Sequence, residues 1–177
     1  MSMKTKNNTL WLVLIVAAFA VVTIGLALIA NKPSKDAAAT PASQSAAQAK
    51  NDMQVFTKLA KAQKFDAANV KELKVEELKA GDGDVVAETD TIKANYTGWN
   101  AQGVIFDSTK KSADGGVTPI EFPLTGVIPG WTKGLADKKV GGIYKLTIPA
   151  DMAYGNQSPS TETSGPLESV VEIISKK

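Results

Sequence analysis

The apolar positions of the chain fall into two regimes. Leu10 to Ala30 (LWLVLIVAAFAVVTIGLALIA) runs for 21 residues without a charge. At roughly 1.5 Å of rise per residue such a run is long enough to cross a hydrocarbon core of about 30 Å. It predicts a transmembrane helix over residues 10–30 behind a short tail, residues 1–9. A cleaved signal is the rival reading, but its apolar region usually spans about 7–15 residues, and Leu28-Ile29-Ala30 is a poor small-x-small cleavage site. A buried core helix is excluded by the lack of any segment that could surround a helix apolar on all sides.

Beyond residue 30 the pattern changes twice. Residues 31–50 are rich in Ala, Ser, Gln, Lys and Pro, with too little bulky apolar content to fold, and read as a flexible linker. Residues 51–65 carry Val55, Phe56, Leu59 and Ala60 on one stripe, as a short amphipathic helix capped by Asn51 or Asp52 would. Residues 66–177 then hold the folded domain. The stretch from Asn69 to Glu88 mixes helix and strand signals before Gly81-Asp82-Gly83 breaks the chain. Asp90 to Trp99 alternates Ile92, Ala94 and Tyr96 with Lys93 and Asn95, as a half-buried strand does. Val104 to Ser108, Ile143 to Ile148 and Ser169 to Ile174 read as further strands. Trp131 to Ala136, opened by Pro129-Gly130, is the best helix. Several short strands with one brief helix predict an α+β domain, an antiparallel sheet with a helix on one face.

Charge narrows the function. Residues 1–65 hold 8 Lys against Asp36 and Asp52, whereas residues 66–177 hold 12 Lys against 16 acids. An acidic folded part on a basic leader argues against a nucleic-acid partner. Lys4, Lys6 and the α-amine precede the apolar run and Lys32 and Lys35 follow it, a small bias that places the N-terminus in the cytoplasm and the domain outside it, in a single-pass membrane protein. The chain has no Cys and no His. Thiolate and imidazole metal sites, disulfides and His-assisted nucleophiles are therefore excluded.

Four segments carry a resemblance. NYTGW (Asn95 to Trp99), GVIFDST (Gly103 to Thr109), GVIPGWTKGL (Gly126 to Leu135) and IPADMAYG (Ile148 to Gly155), with a VEII ending, resemble in order the signatures of FKBP-type peptidyl-prolyl cis/trans isomerases. The resemblance covers roughly residues 69–177, by the extent of these motifs. It implies a five-stranded antiparallel sheet wrapped around one short helix, an isomerase acting on X-Pro bonds without a cofactor or a metal, and Pro-containing flexible polypeptides as partners. The family's macrolide inhibitors are implied as ligands of the same pocket.

Carried over residue by residue, the resemblance implies Tyr154, Asp107 and Trp131 as catalytic residues, with Trp131 as the pocket floor. Tyr96, Phe106, Ile120, Phe122, Val127 and Ile128 are implied as substrate-binding residues. Taken singly, Trp131, Phe122 and Val127 would be core residues in any small α+β domain, and Tyr154-Gly155 only a turn. Two positions depart from the family pattern. Ile120 stands where Phe is common, and Ser169 stands, without a gap, at another aromatic position. A shallower, wetter pocket is the consequence expected, and restoring an aromatic at 169 is expected to fill it. The loop from Asn156 to Leu167 is polar throughout. These departures support the alternative of a catalytically weak FKBP-like binding or chaperone module tethered to the membrane.

Overall fold

The computed structural model describes residues 41–110, 116–156, 158 and 160–177. The predicted tail, the transmembrane helix over 10–30 and the first part of the linker lie outside the described residues. Among the described residues, no helix is long and apolar enough to cross a membrane.

One long strand organises the domain. β2 (Thr91–Asn100) pairs antiparallel with the equally long β6 (Leu167–Lys176) along one edge, from Ile92 to Asn100. Its other edge is shared. β3 (Ile105–Ser108) pairs with Thr97 to Trp99, and β4 (Ile120–Pro123) pairs with Thr91 to Ala94. Outward from β6 follow β5 (Ile143–Ile148) and β1 (Lys74–Lys79), giving the order β1-β5-β6-β2-β3 with β4 on β2. The sheet thus has six strands, not the expected five, because β3 and β4 occupy successive halves of one lane. β4 escaped sequence reading because it is four residues long and ends in Pro123.

The period-2 alternation sends each strand's side chains to two faces. Ile92, Ala94 and Tyr96 of β2, Leu146 and Ile148 of β5, and Val171 and Ile173 of β6 pack on one face with Trp131 and Leu135 of the short helix α2 (Pro129–Leu135). α2 begins where Pro129, with φ already set for a helix and no amide to satisfy, follows the extended Ile128. The same alternation puts Trp99, an odd number of residues from Tyr96, on the opposite face, beside Phe56, Ile143 and Val170.

That second face is covered by α1 (Pro41–Leu59) and the chain that follows it, so the sheet is packed on both sides and not on one. Phe56 is fully buried there, and Lys79 of β1 holds Asp52 of α1 at 2.7 Å. The helix was expected over 51–65, behind a linker reaching to residue 50. It begins at Pro41 because an Ala- and Gln-rich run has strong helix propensity without needing a broad apolar stripe. Residues 60–65 leave it, and Phe65 donates its amide to the Ala101 carbonyl at 3.1 Å.

Candidate active site

The polar-to-apolar alternation of β2 delivers Tyr96 to the α2 face, and the residues that follow in the chain close around it. β3 contributes Phe106 and Asp107, and β4 contributes Ile120 and Phe122. Val127 and Ile128 lead into α2, whose first turn carries Trp131. The turn after β5 supplies Tyr154. All nine residues named from sequence line a single cavity of about 410 Å³. Gly126 lines it too and was missed. The only sequence signal for it was its place in the run GVIPGW.

Trp131 and Tyr96 form the inner wall, with 8% and 9% of their surfaces exposed. Their rings meet edge to face with centroids 5.0 Å apart, and Phe122 lies 5.5 Å from the indole and 6.5 Å from Tyr96. Such edge contacts fix ring orientation through the positive edge and negative face of each π system. At the mouth, Phe106 and Tyr154 make a second edge contact at 6.5 Å, and Tyr154 is 53% exposed. Gly98 makes room for Phe106: a Cβ there would lie 2.6 Å from the ring. Gly155, at φ 83°, turns the chain immediately after Tyr154, in a region other residues enter only with strain.

The polar groups are held as firmly as the rings. The Tyr96 hydroxyl donates to Asp107 Oδ2, and the Ser108 amide donates to Asp107 Oδ1 at 2.8 Å. Burial, and then this bond to a carboxylate, push the Tyr96 phenol far above the usual tyrosine range, so it stays a donor. The Ile128 carbonyl accepts the amides of Trp131 at 2.9 Å and Thr132 at 3.3 Å, and the Thr132 hydroxyl donates to the Leu124 carbonyl at 2.6 Å. The start of α2 is thereby clamped to the cavity rim.

Ser169 does not behave as its departure from the family pattern suggested. It is 1% exposed, on β6 and off the cavity lining, and its Oγ accepts the indole Nε1–H of Trp131 at 3.4 Å. No wet extension of the pocket opens there. The polar loop likewise ties itself together: the Ser164 hydroxyl donates to the Asn156 carbonyl at 2.7 Å, and the Gly165 amide donates to the Gly155 carbonyl at 2.9 Å.

Comparison with known proteins agrees with this architecture. Residues 82–173 match the model of the FKBP-type peptidyl-prolyl cis-trans isomerase family, and the chain belongs to that family. It is 40% identical over 80 residues to the FKBP-type 22 kDa peptidyl-prolyl cis-trans isomerase of Escherichia coli strain K12, and 38% identical over 101 residues to FkpA of the same strain. It is 36% identical over 94 residues to the outer membrane protein MIP of Legionella longbeachae. These matches take in 45%, 56% and 53% of the chain but span only 37%, 36% and 38% of those relatives. Among solved structures, FkpA from Escherichia coli superposes with a TM-score of 0.54 at 31% identity, covering 77% of this chain and 67% of that one. A peptidyl-prolyl cis-trans isomerase from Pseudomonas syringae gives 0.53 at 25% identity, covering 76% and 95%.

Proposed function

We propose that the chain is a peptidyl-prolyl cis/trans isomerase that binds the twisting X-Pro amide in the cavity floored by Trp131. The observation that carries this reading is the convergence of five aromatic rings, one ordered carboxylate and the start of α2 on one cavity of about 410 Å³. Rotation about an X-Pro bond breaks amide resonance, a barrier of about 18–20 kcal/mol. No covalent bond to the enzyme is needed. The twisted amide has a nearly single C–N bond and less charge separation than the planar form. Apolar walls at Trp131, Phe122 and Val127 therefore favour it, while water favours the planar state, and this differential binding lowers the barrier.

Orientation comes from the polar rim. The Tyr154 hydroxyl and the Ile128 amide offer donors for substrate carbonyls, and Asp107, held by Tyr96, keeps its carboxylate beside the reacting bond. Tyr154, Asp107 and Trp131 act on the rotating amide, whereas Tyr96, Phe106, Ile120, Phe122, Val127 and Ile128 hold the segment around it. The substrates are exported or membrane-proximal polypeptides, met outside the cytoplasm by a domain anchored through residues 10–30. The apolar run of 21 residues and the similarity to an outer membrane protein support that location. Macrolides of the kind that inhibit the family would occupy the same walls.

A second reading, a weakly catalytic binding module, is favoured by the open mouth, where Tyr154 is 53% and Ile120 38% exposed. A protease-free isomerisation assay on X-Pro peptides, with the full chain and its Asp107→Asn variant, separates the two. Acceleration that falls in the variant supports the enzyme. Peptide binding without acceleration by the wild type would leave only the binding module.

A further inference from the structure

The face of the sheet opposite the aromatic cavity holds a second hollow, of about 530 Å³, between α1 and the β2–β6 pair. Its floor is polar. Asn95 of β2 and Glu172 of β6 stand directly across from each other in the ladder, 4% and 5% exposed, and Asn95 Nδ2–H donates to Glu172 Oε2 at 2.7 Å. That bond fixes the amide with its oxygen turned away from the carboxylate, and the buried Asn95 Oδ1 is left with no hydrogen-bond partner among the described residues. An unpaired buried carbonyl is costly, and a buried carboxylate held by one neutral donor is costlier still.

Among the described residues, no side chain nearby balances this charge directly. Lys79, whose charge acts on Glu172, is bound to Asp52 at 2.7 Å. Lys50, at the rim, is exposed and makes no ion pair among the described residues. The hollow therefore presents the Glu172 carboxylate, beside an Asp52 already held by Lys79, beneath walls that are mainly apolar, among them Met53, Val117, Pro119 and Ile174. A hard divalent cation would want six or more oxygens, and no cluster of three acidic, His or Cys side chains suited to a metal exists among the described residues. An anion would meet Glu172. A donor with a positive charge and an apolar stem fits both halves of the site.

We infer that this hollow binds a primary alkylammonium group, its NH₃⁺ on the Glu172 carboxylate and its chain against Met53, Val117 and Ile174. Two sources share that chemistry, a free aliphatic amine and the lysine side chain of a polypeptide. The same β2 backbone carries Asn95 to this site and Tyr96 to the aromatic cavity, so the two sites lie back to back across one strand.

The test is titration of the full 177-residue chain, followed by calorimetry and by the Asn95 side-chain amide signals in ¹H–¹⁵N spectra, with n-butylammonium, butan-1-ol and an acetylated, amidated Ala-Lys-Ala peptide. Saturable binding of n-butylammonium, with butan-1-ol and the Glu172→Gln variant each at least about ten-fold weaker, is expected. Glu172→Gln keeps the volume and an oxygen for Asn95 Nδ2 while removing the charge. Tighter binding of the peptide than of the amine assigns the site to polypeptide lysines, and the reverse assigns it to small amines. Absence of saturable binding, or equal binding of the alcohol and the ammonium, overturns the inference. Unchanged affinity in a folded Glu172→Gln does the same. If that variant does not fold, the comparison of alcohol with ammonium on the wild-type chain decides alone.

Discussion

The indole Nε1–H of Trp131 donates to Ser169 Oγ at 3.4 Å, so the floor of the aromatic cavity is fastened to the strand beneath it. Ser169 is 1% exposed and its neighbourhood is closed. Ser169→Phe should therefore destabilise the fold by about 1–3 kcal/mol through overpacking rather than deepen the pocket. Urea denaturation of the full chain measures this. An unchanged midpoint together with tighter X-Pro peptide binding would restore the under-filled pocket that the sequence pattern suggested.

Tyr154 and Trp131 should separate function from stability. Tyr154 is 53% exposed and its ring rests only at the mouth, against Phe106. Tyr154→Phe should leave the denaturation midpoint unchanged and lower kcat/KM by about 2- to 13-fold, the loss of one hydrogen bond of about 0.5–1.5 kcal/mol. Trp131→Ala should instead cost about 3–5 kcal/mol in stability, since it removes a buried indole that packs on two rings. A Tyr154→Phe variant with full activity would remove the hydroxyl from the mechanism.

What the sequence made legible follows from how locally each feature is encoded. The alternation of Ile92, Ala94 and Tyr96 and the Pro129-Gly130 start of α2 are short-range signals, and both elements lie where those signals put them. The gathering of Tyr96, Phe106, Trp131 and Tyr154 around one cavity was legible only through the order of four family motifs, because residues 58 apart meet there by topology. α1 was read too short, since its first turns are helical by propensity and not by an apolar stripe. Nor did any local pattern reveal that Ser169 sits under the indole, or that Asn95 faces Glu172 on the covered side of the sheet. Those relationships depend on the β2–β6 register, which pairing fixes and periodicity does not.

The rate should be nearly independent of pH across the neutral range. The chain has no His, the one side chain whose ordinary value falls there, and the proposed chemistry moves no proton. Measuring kcat/KM between about pH 6 and pH 8 should give a flat profile. A steep step would require a titrating catalytic group and would end the desolvation mechanism.

Tyr96 should titrate late. Its phenol is raised by burial and by the bond to Asp107, so the folded state holds this proton more tightly than the unfolded chain does. The stability this contributes is complete below the ordinary tyrosine value of about 10 and is lost as pH rises beyond it. Tyr96→Phe should remove a phenol that fails to ionise in the folded protein's ultraviolet titration. It should also cost about 0.5–1.5 kcal/mol at neutral pH from the lost hydrogen bond. A count of ionising phenols that falls by one on substitution would show that Tyr96 ionises alongside the exposed Tyr154.

Glu172 should behave in the opposite sense to a salt-bridged acid. Burial, the largest influence on it, raises its carboxyl above the ordinary glutamate value, and the Asn95 amide offsets this only in part. The folded state then binds the proton more tightly than the unfolded chain. Below the unfolded value of about 4.3 the group is protonated in both states and imposes no penalty. As pH rises through the folded value, the carboxylate must be kept charged in a desolvated place and stability falls. Glu172→Gln removes that charge while keeping an oxygen for Asn95 Nδ2–H. The variant should be more stable than the wild type at neutral pH, and the difference should vanish as pH falls below the ordinary glutamate range. Thermal denaturation of both chains at neutral and acid pH tests this directly. A variant that is less stable at neutral pH would mean that the carboxylate has more favourable partners than Asn95, and that the hollow behind β2 is already electrostatically satisfied.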